Sequence, residues 1–394
     1  MSAIDELAAS LRERLVEEAQ LAGPADGGDG QALRERIADL IQGEAPLLDA
    51  QQRGSLVERV LSSALGLGPL EVLMSDPEVD EIMVNGPQRV LVERGGRIEH
   101  TGVAFESEAE LMHVIERILA PLGRRVDEAS PLVDARLPDG SRVNCVIPPL
   151  SLDGPLVTIR RFRARAFTME ELVGLGTLGS DVSDFLASCV HARLNVIVSG
   201  GTGSGKTTLL NVLSSLISAG DRIVTIEDAA ELRLGQGHVL RLESRPPNLE
   251  GEGDVTIRAL VRNALRMRPD RIIVGEVRGA EALDMLQALN SGHDGSMTTV
   301  HANSAADALR RIETLALMAD VALPHVAVRD QVASALDLVL HLERTSEGQR
   351  RLVSVGEVVR VAADAGLREL YSFRDGRARL SAPPSDALAE RLSR

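Results

Sequence analysis

Tryptophan is absent from this 394-residue chain, and aromatic residues make up only 2% of it. Its cores must be built from Leu, Val, Ile and Ala, and a hydrophobic fraction of 44% supplies enough of them. Cysteine is scarce as well: Cys145 and Cys189 are the only ones. That excludes a disulfide-stapled scaffold and a four-cysteine zinc site, and makes a reducing cytoplasm the expected compartment. No stretch approaches the ~18 uncharged apolar residues of a transmembrane helix, so no direct transmembrane insertion is expected. No signal peptide is expected either, because Asp5 and Glu6 stand where a basic region would lie and no long apolar core follows. Positive charge is in deficit. A net charge of -15 argues against a protein that coats nucleic acid, while leaving room for local basic channels.

Lysine, like tyrosine, occurs once. Lys206 is the only one in the chain, and every other permanently cationic side chain is arginine. It falls in Gly200-Gly201-Thr202-Gly203-Ser204-Gly205-Lys206-Thr207-Thr208. Four residues separate the first Gly from Gly-Lys-Thr, which is the spacing of a phosphate-binding P-loop. The flanks agree with that assignment. Residues 194–198 form an apolar run that reads as a buried strand, and residues 207–218 read as a helix with Leu209, Leu210, Leu213 and Ile217 on one side. The glycines let the backbone curl until its N–H groups face one anion, and the helix N-terminus adds its positive end. Lys206 is then expected to reach the β- and γ-phosphates of ATP, and the Thr207 hydroxyl to ligate Mg²⁺.

Residues 1–65 read as a helical extension, with helices over 1–20, 31–41 and 48–65. Residues 66–162 read as a small α/β domain with a mainly antiparallel sheet, including a hairpin at Asn85-Gly86 and a turn over 136–140. A linker is expected over 163–178. Residues 179–362 alternate buried strands with helices, as in a doubly wound α/β domain. Residues 363–394 are expected to be an appendage ending in a loose tail.

In such a sheet the carboxyl ends of the strands face the ligand crevice. Ile272-Ile273-Val274-Gly275-Glu276 resembles a Walker B strand in which Glu276 holds a Mg²⁺-bound water or activates the attacking one. Glu227, followed by Asp228 and Glu231, is a second acidic strand end. His293 and His301 flank the next strand, and three roles are open to them: γ-phosphate sensing, structural hydrogen bonding or metal binding. Hydrolysis also needs positive charge beyond Lys206. Arg142 and Arg160, in strands of the preceding domain, are the leading candidates, with solvated surface positions as the alternative. Arg278 either reaches the nucleotide or fixes Glu276 by an ion pair.

These motifs resemble the secretion and pilus-assembly ATPases of the type II/type IV superfamily, and look closest to the CpaF branch of tight-adherence (Flp) pili. The Walker A matches Gly200 to Thr208, the Asp box runs from Thr225 to Leu232, Walker B from Arg271 to Asp284, and the His box from Gly292 to His301. Asp134 to Arg142 and Ile159-Arg160-Arg161-Phe162 are branch-like phrases. The resemblance implies a RecA-like motor domain behind a small PAS-like α/β domain. It also implies ATP and Mg²⁺ as ligands, and a homohexamer at the cytoplasmic face of the inner membrane that drives a platform protein there. N-terminal-domain arginines would reach the nucleotide, which favours Arg142 and Arg160 with Arg136 and Arg161 as alternatives. The missing tetracysteine module argues against the general secretion branch. A conjugative or effector-secretion ATPase and a retraction motor remain alternatives, as do a nucleic-acid translocase and a nucleotide-gated scaffold.

Overall fold

The computed structural model describes residues 38–43, 49, 53–54, 56–57, 67–161, 166–245, 247, 252–345, 347–361, 364–374 and 377–393. Residues 38–43, 53–54 and 56–57 are helical and residue 49 is not; the rest of the helices expected over 1–20, 31–41 and 48–65 lies outside the described residues. The chain divides into two compact units, Met1–Arg163 and Ala164–Arg394.

In the first unit a short helix α1 (Glu71–Ser75) precedes β1 (Val79–Asn85), β2 (Val90–Arg94) and β3 (Arg97–His100). Helix α2 (Glu108–Leu119) then leads to β4 (Leu132–Arg136), β5 (Arg142–Val146) and β6 (Leu156–Arg160). All pairings are antiparallel, in the order β3-β2-β1-β6-β5-β4. The Asn85-Gly86 signal does join two paired strands, and Gly86 turns the chain with a φ of 72°. Alternation along the strands points Ile82, Val84, Val143, Cys145, Val157 and Ile159 inward, where they meet Leu111, Val114, Ile115 and Ile118 of α2. Each such burial contributes about 1.5–3 kcal/mol. Helix α2 starts where it does because the Ser107 hydroxyl accepts from the Glu110 N–H at 3.2 Å.

The second unit opens with α3 (Met169–Gly174), α4 (Ser180–His191), β7 (Val196–Gly200) and α5 (Lys206–Ser215). It continues through β8 (Ile223–Glu227), β9 (Val239–Glu243), α6 (Ile257–Ala264), β10 (Arg271–Val274), α7 (Glu281–Leu289) and β11 (Met297–His301). Helices α8 (Ala305–Leu317) and α9 (His325–Ala335) precede β12 (Leu338–Arg344), β13 (Arg350–Val361), β14 (Asp364–Arg374), β15 (Arg377–Leu380) and α10 (Asp386–Leu392). The sheet has nine strands in the order β15-β14-β13-β12-β7-β11-β10-β8-β9. From β12 to β9 neighbours run parallel, and the strands from β13 to β15 add on antiparallel. Both faces are covered, as a parallel sheet requires. Leu186, Leu209, Leu210 and Leu213 pack on one side; Val261, Leu286, Ile312 and Val332 pack on the other.

Two local expectations change. The stretch read as a linker contributes α3, which carries a capping box between Thr168 and Glu171 and buries Met169 and Leu172 in the second unit's core. The end of the chain is not loose. Ser385 caps α10, its N–H and hydroxyl both donate to Glu357, and Leu388 is buried. Arg391 ties the same helix to Asp337. Among the described residues no helix is long and apolar enough to cross a membrane.

Candidate functional site

Strand β7 is entirely buried near the middle of the sheet and delivers the chain to Gly200. Only glycine fits there. Its φ is 152°, and a Cβ would stand 2.3 Å from the Leu342 carbonyl oxygen and 2.6 Å from Ser204 Oγ. Gly203 and Gly205 follow in left-handed conformations at φ 69° and 95°. The loop then enters α5, whose first residues are Lys206, Thr207 and Thr208. Ser204 Oγ donates to the Gly201 carbonyl at 2.9 Å, and the Lys206 ammonium donates to the same oxygen at 2.8 Å. Lys206 is only 7% exposed. Gly201 and Thr202 form the outer bend of this loop.

The neighbouring strands end level with it. His301 lies opposite Gly200 in the β11–β7 register, and Glu227 and Gly275 follow at the ends of β8 and β10. Lys206 Nζ is 3.4 Å from His301 Nδ1, and His301 Nε2 is 2.8 Å from Glu276 Oε1. An ammonium can only donate, so Nδ1 accepts and the ring proton sits on Nε2, facing the carboxylate. Burial first, and the Lys206 charge second, hold the His301 pKa below its ordinary value, which favours this neutral form.

Glu276 is gripped from one side. Arg278 donates to its Oε2 through Nε at 2.9 Å and Nη2 at 2.6 Å, while the buried Oε1 has His301 Nε2 2.8 Å away. The Arg278 guanidinium is in turn raised in pKa, chiefly by that bond to Glu276. Glu227 is 3% exposed. Its Oε2 accepts from the Glu231 and Leu232 N–H groups at 2.8 and 3.0 Å, and its Oε1 is a buried acceptor without a hydrogen bond. Burial pushes the Glu227 carboxyl up to about 7 against the pull of those two donors. Gly275 makes room for it, since a Cβ there would stand 2.9 Å from Glu227 Cγ.

The second unit thus gathers the phosphate loop, Lys206, His301, Glu276, Arg278 and Glu227 at one end of its sheet. His293 is not among them. It precedes β11, so it sits at the opposite end of that strand from His301, where its Nδ1 lies 3.1 Å from the Ala288 carbonyl. Arg142 and Arg160 belong to the first unit, where they face each other in the β5–β6 register. Arg136 pairs beside Arg142, and Glu81 beside Arg160. Arg161 instead donates to the Asp76 and Val79 carbonyls. Two arginines not singled out from the sequence, Arg344 and Arg350, lean on the phosphate loop from the β12–β13 hairpin. Their closeness depends on strand register over some 140 residues of sequence, which no local pattern encodes.

The chemistry of this end suits a nucleotide polyphosphate. It combines a glycine cradle at a helix N-terminus, one buried ammonium, the Glu276 carboxylate beside His301, and a buried Glu227 oxygen that accepts no hydrogen bond. Among the described residues no group of three or more His, Cys, Asp and Glu could hold a metal ion. A Mg²⁺ held mainly by phosphate oxygens and water would suit this end, and Thr207 and Glu276 are the residues that would hold it.

Comparison with known proteins places these residues in context. The family model described as type II/IV secretion system protein matches residues 63–382. A putative conjugal transfer protein of Mycobacterium tuberculosis is 40% identical over 304 residues, covering 75% of this chain and 86% of the relative. The type IV secretion system protein PtlH of Bordetella pertussis is 36% identical over 326 residues, covering 75% and 95%. The solved structure of the pilus retraction motor PilT with bound ADP is similar in fold, with a TM-score of 0.53 at 20% identity over 82% of this chain and 85% of that one.

Proposed function

Because the chain belongs to the type II/IV secretion system protein family, whose members are ATP-hydrolysing motors, we propose that it powers conjugal transfer or type IV secretion from the cytoplasmic face of a membrane. The names of the relatives favour this reading over the Flp-pilus role suggested by the motifs. The Flp reading is supported by the branch-like phrases around Arg142 and Arg160. We also propose a homohexamer working on a membrane platform partner, with the six-stranded first unit in the position of a PAS-like domain.

The observation that carries the chemistry is the relay Lys206–His301–Glu276–Arg278 at the strand ends. Lys206 neutralises charge on the β- and γ-phosphates. Arg278 fixes one oxygen of Glu276, so the other, Oε1, is aimed and able to orient a water and take its proton. Neutral His301 links the ammonium to that oxygen and reports phosphate occupancy from one to the other. Mg²⁺, when bound with the nucleotide, would neutralise phosphate charge that the single lysine cannot. Arg142 and Arg160 are carried over from the motif resemblance as candidates for further positive charge, and their alanine variants test that.

Steady-state ATPase assays and nucleotide binding on the full chain test this reading. Lys206→Ala is expected to lose nucleotide binding. Glu276→Gln is expected to bind ATP while turnover falls by about 10²–10⁴-fold. Wild-type turnover in Glu276→Gln would remove Glu276 from the chemistry.

A further inference from the structure

Strand β12 runs parallel to β7 with Leu342 opposite Gly200. Arg344, two residues further along, therefore stands at the level of the phosphate loop. The chain returns as β13, and the first residue of that strand, Arg350, is the direct partner of Arg344. Like charges opposite each other across a ladder repel. The adjacent pair, Glu343 with Arg351, has opposite charges and carries no such penalty. Both arginines of this facing pair also reach the loop. Arg350 Nε donates to the Gly203 carbonyl at 3.1 Å. Its stem crosses Gly205, with Cδ 3.3 Å from the point where a Cβ would stand. Arg344 Nη1 lies 3.4 Å from the corresponding point on Gly203. Both close approaches exist because these two positions are glycine.

We propose that Arg344 and Arg350 form an arginine clamp, supplied by the same subunit, over the outer side of the phosphate loop and recognise the polyphosphate of the bound nucleotide. This rests on the nucleotide reading given above and extends it. A polyanion in the loop attracts both guanidinium groups. Arg350 also acts as a positioning residue. By engaging the Gly203 oxygen it offsets a partial negative charge next to the phosphates and braces the loop's curl. Lys206 acts from inside the loop as a compact charge, and the arginines act from outside it through broad planar forks.

The test uses the full chain, with fluorescent ADP and ATP analogues titrated across a range of salt concentrations and steady-state kinetics alongside. Arg344→Ala and Arg350→Ala are each expected to weaken nucleotide binding about fivefold, with the loss falling on KM and Kd more than on kcat. Both should show a shallower salt dependence than the wild type, since a screened charge has been removed. Arg350→Lys should recover the salt dependence but not the full affinity, because lysine restores charge without the fork. Thermal melts of each variant without nucleotide monitor folding. If Arg344→Ala and Arg350→Ala keep wild-type Kd and salt dependence while Lys206→Ala loses binding, the clamp is overturned and the ATPase reading stands. Weakened binding with an unchanged salt slope and a lowered melting temperature would likewise overturn the clamp, because it marks a structural role alone. If the wild type binds no nucleotide, both readings fall.

Discussion

Two carboxylates at the strand ends are kept apart by their neighbours. Glu276 is gripped by Arg278 on one oxygen, whereas Glu227 is sealed from water with only backbone donors to hold it. That difference makes Glu227 sensitive to pH. Its folded pKa is raised to about 7 from an ordinary value of 4.5, so the folded chain keeps the proton over a range in which the unfolded chain releases it. The stability contributed by this protonation is fully present below pH 4.5 and is lost as pH rises to about 7, a change of about 3 kcal/mol. Glu227→Gln, which cannot ionise, is expected to be more stable than the nucleotide-free wild type at pH 8, with the advantage shrinking toward pH 5. Melting temperatures across that range check this, and parallel curves would refute it. A companion feature is Gly275, where any side chain would press on Glu227 Cγ.

At the scale of elements, the phosphate loop and α10 show two ways of fixing a short segment. The loop's curl requires its own glycines, and α10 depends on what it touches. Leu388 is its one buried side chain. Leu388→Ala is expected to cost about 2–4 kcal/mol and lower the urea midpoint of the second unit. Measured nucleotide affinity tells whether that loss stays local. The same contrast decides what could be read from the sequence. The loop was legible because glycine spacing, a buried strand and one lysine lie within a dozen residues. Most helices of the second unit were legible from apolar spacing. Helices α3 and α10 were not, since each is under two turns long and depends on a cap and a distant core. His293 and His301 looked equivalent until the strand between them put them at opposite ends of the sheet. The facing of Arg344 and Arg350 is a matter of register, set by the whole sheet.

At the scale of the molecule, the first unit carries a row of charges from neighbouring strands: Glu81, Arg160, Arg142 and Arg136. Arg142→Ala and Arg160→Ala are each expected to lower ATP turnover about tenfold or more while leaving the melting temperature of the nucleotide-free chain in place. Wild-type turnover in both variants would confine the row to a surface role. The lone lysine has a consequence for the molecule as well. A protease that cuts only after lysine finds one target in the whole chain, and Lys206 is buried with its ammonium tied to the Gly201 carbonyl. Each cut therefore records one transient opening of that segment, and the rate of cutting is a clock on the breathing of the phosphate loop.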